Sequence, residues 1–511
     1  MGRNIQKLAL WAAPLLFVAV LFYWAMWSLL RLGVEQNWFD RLGDVQFLNT
    51  VCFTIGQALL STLLCLLFGL PGAYLLYRKK FFGRSFVRAL ISVPFVLPTI
   101  VVAIALQEFS TWLSPMLLIL LAHLFLNYSI VVRTVGGVWQ SLDREVEYAA
   151  ALDGANRWQT FTRVTLPMLR PSIASAVTLV FLYCVTSFGI ILLLGGGKVS
   201  TIETEIYFSL TQFLDFQTAA TFSLVQTVIT VTAFAISKRI GSDQAGLEQV
   251  DSESLGEKIG PRDWPAVFVS ALMIVGLLVL PLSQVLGRFT WQGFADLSGT
   301  GSRALLNISV WQAAGNSLRN ILISAALAVT IGVLVSWLLS RSRRGWLEIP
   351  FLLPMGVSSV VLGFGYLLTF RAGWLAVPLI QALLATPLVI RIVHPALVSL
   401  GRDYREAATA DGASGWQVWR FIEAPLLSTV LRSAAVFAAL VSLGEFGAAS
   451  LLSYGDQATL PVVLYQLISR PGPQNYSMAM AASALLIVAV FVISMSSALV
   501  QRRRRFSSIA R

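Results

Sequence analysis

Charge is scarce in this sequence. Of 511 residues only 12% are Asp, Glu, Lys or Arg, about half the share of roughly 25% carried by soluble globular domains. So few charges cannot solvate a globule of this size, which excludes a soluble enzyme, a disordered scaffold and a fibrous protein. Histidine is nearly missing. His123 and His394 occupy non-equivalent positions, so no paired metal site is expected, and each reads as a hydrogen-bonded packing residue. The three cysteines, Cys52, Cys65 and Cys184, lie inside apolar stretches without CxxC spacing, which leaves no metal site and no disulfide framework. A phosphate-binding GxxxxGK[ST] loop is also missing. Gly195-Gly196-Gly197-Lys198-Val199 imitates its end but lacks the first Gly and the magnesium-binding Ser or Thr. No catalytic residue and no bound cofactor can be nominated.

What is present is apolar: 57% hydrophobic residues and a mean hydropathy of +0.75. Runs near 20 apolar residues match a bilayer-spanning helix. Twelve candidates occupy roughly 8–30, 50–77, 89–107, 115–135, 171–195, 217–237, 264–286, 317–340, 346–370, 374–398, 430–453 and 477–500. They lack the period-two alternation of a transmembrane β-barrel, and lipid demands self-satisfied backbones, so an all-α integral membrane protein is predicted. The first run is read as a retained span. The net charge of +12 sits in short loops and is read as a set of topology determinants, not as a nucleic-acid surface. Arg3 and Lys7, Arg78 to Arg88, Lys238 and Arg239, Arg341 to Arg344, and Arg502 to Arg505 fall on one face if every run crosses once. That face is cytoplasmic, with both termini inside. Trp27, Trp38, Trp112 and Trp291 fit an interfacial belt. The opposite loops hold Glu35, Asp40, Asp44, Glu108, Glu203, Glu205 and Asp215. Of these, Glu108, Glu203, Glu205 and Asp215 read as solvated acids, with attraction of a partner protein as the sharper option.

The chain repeats itself. YAAALDGANRWQTFTRVTLP at 148–167 aligns with EAATADGASGWQVWRFIEAP at 406–425. An offset of 258 pairs Ala149 with Ala407, Ala150 with Ala408, Asp153 with Asp411, Gly154 with Gly412, Ala155 with Ala413, Trp158 with Trp416, Gln159 with Gln417 and Pro167 with Pro425. It also pairs Arg133 with Arg391 and Phe188-Gly189 with Phe446-Gly447. Pro94-Phe-Val-Leu-Pro98 matches Pro350-Phe-Leu-Leu-Pro354 at an offset of 256. The domains are therefore a first half at 1–237, a linker at 238–263 and a second half at 264–511, each half with a long loop (about 136–170 and about 399–429). Six spans separate equivalent points, so the halves are parallel and both loops face the cytoplasm. Each loop predicts an Ala-rich helix, a turn at Gly154 or Gly412, and a second helix ended by Pro167 or Pro425. Trp158/Phe161 and Trp416/Trp419 would each form one apolar patch. Two such knobs suit a symmetric partner, or else pack on their own bundle.

Glu406-Ala407-Ala408-xxx-Gly412, followed by an apolar residue and Pro425, resembles the coupling loop of ATP-binding-cassette importer permeases. The first copy departs, with Tyr148 at the Glu position and Glu147 one residue early. Two halves on one polypeptide resemble the thiamine and the ferric-iron permeases. Leu194-Gly-Gly-Gly197, Thr201-Ile-Glu203, Ile206-Tyr207 and Ala122-His123 with Asn127 look most like the thiamine branch. The resemblance implies a type I importer of the MetI-like permease fold in the cell inner membrane, moving thiamine or a phosphorylated thiamine. It implies a homodimeric ATPase on the cytoplasmic face holding ATP and magnesium, a periplasmic binding protein, and no nucleotide on this chain. Glu445 lies inside the eleventh run opposite Ser187 of the repeat. An intramembrane acid marks a possible pathway or gate, with a structural hydrogen bond as the other reading. A secondary transporter of the 6+6 type is the alternative from another class. Its signature would fall after the second span, where this chain has Arg78-Lys-Lys-Phe-Phe-Gly-Arg84.

Overall fold

A computed structural model describes residues 2–35, 42–240, 257–342, 345–370, 373–400 and 403–509. Among the described residues nine helices are long and apolar enough to cross a membrane: Leu10–Glu35, Val45–Arg78, Pro115–Ser141, Arg157–Val185, Phe216–Ile236, Pro261–Gly287, Val310–Leu339, Ala376–Ser399 and Pro473–Val492. Two further pairs are bent at a break, Trp346–Gly356 with Ser359–Thr369 by 96° and Gly415–Leu426 with Ser428–Gly444 by 78°. Among the described residues the count is thus nine, or eleven with both pairs, beside the twelve runs read from the sequence, and it fits a two-repeat membrane permease fold.

Further runs are interrupted, the first of them at a proline. Run 89–107 divides at Leu97-Pro98, both extended (ψ 137° and 134°), into Val93–Val96 and Thr99–Gln107. Run 346–370 breaks at Val357 (ψ 137°) and Ser358 (ψ 147°), just beyond Pro354. A proline lacks the N–H of the helical ladder and pushes the residue before it out of the α region. That accounts for the first break, where Leu97 before Pro98 is extended. In the second half Leu353 before Pro354 stays helical (φ −54°, ψ −38°) and the chain leaves the helix only at Val357, so the shared motif accompanies a break in both halves without placing it at the same residue. Run 430–453 is also interrupted. Helix Ser428–Gly444 ends at Glu445 and a new one runs Gly447–Leu452. The first half does the same between Val185 and Gly189.

The chain forms two compact units that differ from the two sequence halves. One comprises Met1–Asp44, Ile202–Val231 and Ser298–Val463, the other Val45–Thr201, Thr232–Leu297 and Leu464–Arg511. Each unit takes the core of one half and the flanking segments of the other, so the halves drawn at 1–237 and 264–511 describe the repeat but not the packing. In the first unit a Cβ added at Gly365 would meet Ala25, and one at Gly33 would meet Leu224. In the second, Arg288 pairs with Glu108 at 2.7 Å and Tyr476 donates to Glu108 at 2.6 Å. Covalent order does not decide where a spanning helix buries its face. In lipid that choice follows van der Waals fit and hydrogen bonds between helices.

The cores of the two units repeat in detail. Gly69 of helix Val45–Arg78 faces Val131 of Pro115–Ser141, and Gly332 of Val310–Leu339 faces Val389 of Ala376–Ser399. Small residues of this kind let backbones approach closely. Val131 and Val389 keep the 258 offset, whereas Gly69 and Gly332 stand 263 apart. The same 263 relates Ser61 to Ser324 and Arg78 to Arg341. Ser61 Oγ lies 2.9 Å from His123 Nδ1, and Ser324 donates to Ser442 at 2.8 Å, which donates to Gln381 Oε1 at 2.6 Å. Gln381 thus stands where His123 stands in the first core, and both are buried.

Of the basic residues used for orientation, the side chains of Arg3, Lys7, Lys238, Arg239, Arg343, Arg344 and Arg502 to Arg505 lie outside what is described, as do Trp38, Asp40 and linker residues 241–256.

Candidate coupling site

The two long loops fold into the same elbow. In the first, Asp143 caps helix Arg144–Leu152, its Oδ1 accepting from Glu145 N at 2.9 Å. The helix closes with Asp153 N donating to Ala149 O (3.0 Å), Gly154 N to Ala151 O (3.1 Å) and Ala155 N to Ala150 O (3.0 Å). Those are the paired bonds of a Schellman stop, which needs a left-handed residue. Gly154 supplies it with φ +85°. Asn156 and Gln159 then form a reciprocal capping box, both bonds 2.9 Å, which starts Arg157–Thr160.

The second elbow repeats each step. Helix Asp403–Ala410 closes with Asp411 N to Ala407 O (3.2 Å), Gly412 N to Thr409 O (3.1 Å) and Ala413 N to Ala408 O (3.0 Å). Gly412 has φ +84°. Ser414 and Gln417 form the capping box at 2.7 and 3.4 Å, starting Gly415–Val418. The structure therefore brings Ala149, Ala150, Asp153, Gly154 and Ala155, and likewise Ala407, Ala408, Asp411, Gly412 and Ala413, into one turn each. Gln159 and Gln417 are seen in the repeat, but their capping role is legible only through Asn-x-x-Gln and Ser-x-x-Gln, a pattern the sequence reading passes over.

Two expectations are corrected. The aromatic pairs do not form one outward patch. Trp158 and Trp416 are 72% and 67% exposed, but Phe161 and Trp419 are half-buried. The Phe161 ring sits 6.1 Å from both Trp139 and Trp158, and Trp419 packs on the core cluster of Val389, Val393 and Leu397. Each elbow thus offers a single projecting Trp. Second, Pro167 does not end its helix. A π-helical turn, Phe161–Thr165, precedes it and the helix continues to Val185. The wide turn absorbs the donor that proline removes. Pro425 follows the matching turn, Trp419–Glu423, and there the helix does break, at Leu427.

Each elbow is tied to its bundle by the equivalent arginine. Arg78 pairs with Glu147 and donates to the carbonyls of Trp139 (3.3 Å) and Leu142 (3.1 Å), while Thr165 donates to the other oxygen of Glu147 at 2.9 Å. Glu147, one residue early in the motif, is therefore paired after all. Arg341 grips Glu423 with one nitrogen on both oxygens, at 3.0 and 3.1 Å, and its guanidinium lies 4.0 Å from the Trp337 ring centre. Glu423 occupies the place of Thr165, and the motif's own Glu406 is exposed. A shallow groove on this elbow is lined by Asp411, Gly412, Ala413, Gln417, Val418 and Phe421.

Beside the first elbow stands a cluster that the sequence reading missed. Lys79 is buried and lies 3.0 Å from both Glu257 and Asp263. Tyr74 donates to Asp263 at 2.9 Å. The Lys79 ammonium holds the Glu257 carboxyl below its ordinary range.

Of the other nominated acids, Glu205 and Asp215 are partly exposed, whereas Glu203 and Glu445 are buried. Glu203 is fully buried and accepts from Gln226 at 2.8 Å and Ser358 at 2.5 Å. Asp215 caps its helix through Thr218 N at 3.0 Å. Glu445 is buried at the interruption after Gly444. It accepts from Ala448 N at 2.7 Å and Ala449 N at 3.3 Å, and so caps helix Gly447–Leu452.

Comparison with known proteins adds the following. The family profile described as "Binding-protein-dependent transport system inner membrane component" matches twice, at residues 65–242 and 328–505. The matches start 263 residues apart, the offset of Gly69 and Gly332. The chain is 30% identical over 514 residues to the thiamine transport system permease protein of Haemophilus influenzae, covering 92% of each chain. It is 26% identical to that of Salmonella typhimurium over 94% of each chain, and 27% identical to that of Escherichia coli over 90% of each.

Proposed function

Because the chain belongs to the family of binding-protein-dependent transport system inner membrane components, we propose that it is the multi-pass permease of an ATP-driven importer of thiamine or a phosphorylated thiamine. A periplasmic binding protein delivers the cargo. A homodimeric ATPase on the cytoplasmic face, where both termini lie, takes one elbow in each subunit and holds the ATP and magnesium. This chain catalyses nothing itself. It converts movement of the ATPase into movement of its spans.

The observation that carries this reading is the duplicated elbow: helix, Schellman stop at a left-handed glycine, capping box, outward Trp, built twice from matching residues. A cap at each turn makes the elbow stiff, and the following helix leaves it through a short wide turn into the bundle. A stiff knob on a spanning helix is a lever. The outward Trp158 and Trp416 suit the apolar pocket of a partner, since buried aromatics dominate interface energetics. Arg78 and Arg341 fix the inner end of each lever to the neighbouring helix.

The thiamine assignment is supported by relatives of that name over nine-tenths of the chain. Purified chain in proteoliposomes, with its ATPase inside and its binding protein outside, is expected to take up thiamine only when ATP is enclosed. Ferric iron serves as the competing cargo. Uptake of thiamine driven by an ion gradient without the ATPase would replace this reading with a secondary transporter.

A further inference from the structure

The elbows differ at one motif position: Glu406 in the second, Tyr148 in the first. Tyr148 lies on helix Arg144–Leu152, and its hydroxyl donates to Glu257 Oε1 at 3.3 Å. Glu257 belongs to the stretch that joins the two sequence halves. There Glu257 and Lys258 pair in parallel with Lys79 and Lys80, which continue the end of helix Val45–Arg78. Glu257 Oε1 also lies 3.3 Å from Arg144 Nη1, and Oε2 accepts from Lys79 Nζ at 3.0 Å. Just downstream, Asp263 takes Lys79 at 3.0 Å, Tyr74 at 2.9 Å and the Gly260 amide at 2.9 Å, and so anchors the start of Pro261–Gly287. One carboxylate from the joining stretch thus touches two successive turns of the elbow helix, at Arg144 and Tyr148.

We infer that Glu257 is a positioning residue of the first elbow: it supplies, from the stretch between the halves, the carboxylate that the second elbow carries in its own sequence as Glu406. Helix Arg144–Leu152 is then held by Arg78 and Thr165 on Glu147, by Arg144 on the Arg78 carbonyl (3.1 Å), and by Arg144 and Tyr148 on Glu257, the last two running to the residues that lead into the second half. Covalent fusion of the halves has a mechanical consequence: the first lever moves with the joining stretch. The inference rests on reading the elbows as the ATPase contact, but the geometry it describes can be measured without the ATPase.

The test uses the full chain in lipid nanodiscs with Cys52, Cys65 and Cys184 replaced. A spin label is placed at Asp153→Cys in one sample and Asp411→Cys in another. Glu257→Gln is expected to raise the mobility of the label at 153 and leave that at 411 unchanged. With the ATPase bound, stimulated ATP hydrolysis is expected to fall roughly threefold, the scale of a partly exposed ion pair. Glu257→Asp keeps the carboxylate and restores part of both readouts. Tyr148→Glu combined with Glu257→Gln restores both, because residue 148 follows Arg144 by one helical turn. No change at 153, an equal change at 153 and 411, or no recovery in the double variant overturns the inference. If the labels behave as expected but no ATPase associates with the unaltered chain, the coupling reading fails and the positioning role of Glu257 stands.

Discussion

The two elbows share their turn and differ in how they are held. Both stop on a left-handed glycine and restart on a capping box. The first then runs unbroken through Pro167 to Val185, whereas the second breaks by 78° at Leu427. The first is tied through a carboxylate on the elbow helix, Glu147, and the second through a carboxylate at the exit turn, Glu423. The turn chemistry is set by a handful of local residues and survives duplication, while the ties depend on side chains drawn from neighbouring helices and have diverged. What both copies keep is an arginine from a neighbouring helix, Arg78 at the end of Val45–Arg78 or Arg341 just past Val310–Leu339.

The ties give the largest contrast. Glu423 is 2% exposed and Glu147 is 26% exposed. Losing an ion partner costs more at the more buried of two carboxylates, so Arg341→Ala is expected to cost about 3 kcal/mol. Arg78→Ala leaves Glu147 within reach of water, with Thr165 still donating to it, and is expected to cost about 1 to 2 kcal/mol. Thermal unfolding of the two variants in the same detergent measures the difference. Equal losses would mean that the two ties are interchangeable.

The shared turn gives the next effect. At Gly154 and Gly412 an added Cβ would meet nothing within 4 Å, so any penalty is conformational. A β-branched residue held at positive φ costs about 1 to 2 kcal/mol per position. Gly154→Val and Gly412→Val should therefore each loosen their own elbow and depress stimulated ATP hydrolysis about tenfold, with the spans still folded by circular dichroism. Asn tolerates the left-handed region, so Gly154→Asn and Gly412→Asn are expected to retain most of the activity. Should Val and Asn behave alike, backbone geometry is not what the motif protects.

Much of this was legible beforehand. Membrane class, duplication and the glycine turn follow from apolar runs and a spaced motif, because lipid and left-handed φ leave few alternatives. One break was written in the sequence but not read. Pro98 marks a break as well as the duplication, since a proline weakens the helix before it, whereas Pro94, Pro350 and Pro354 lie within short helical segments and place no break by themselves. What no periodicity reveals is partnership at long range. Glu203 lies between apolar runs and looks solvated, yet Gln226 and Ser358, 155 residues away, enclose it. The exchange of flanking helices between units is of the same kind, since hydropathy says that a helix spans but not what it packs on. Glu257 sat in a segment whose Gly, Ser and charge content suggests only a linker.

The smallest predicted effect tests that segment by pH. The Lys79 ammonium lowers the carboxyl of Glu257, so its tie to the first elbow is complete at neutral pH. The sign follows from linkage. A carboxylate whose folded value lies below its unfolded one stabilises above the unfolded value, and that contribution is lost as pH falls through the folded value. The tie should therefore persist down through the ordinary glutamate range near pH 4.3 and fail only below it. A spin label at 153 is expected to stay restrained until that point and then loosen, while Glu257→Gln is loose at every pH. The label at 411, whose elbow carries its own Glu406, reports any general acid effect. If the 153 label loosens at the same pH in the presence and absence of Glu257, the restraint comes from Arg78 and Glu147 alone, and the two elbows are held more alike than their sequences say.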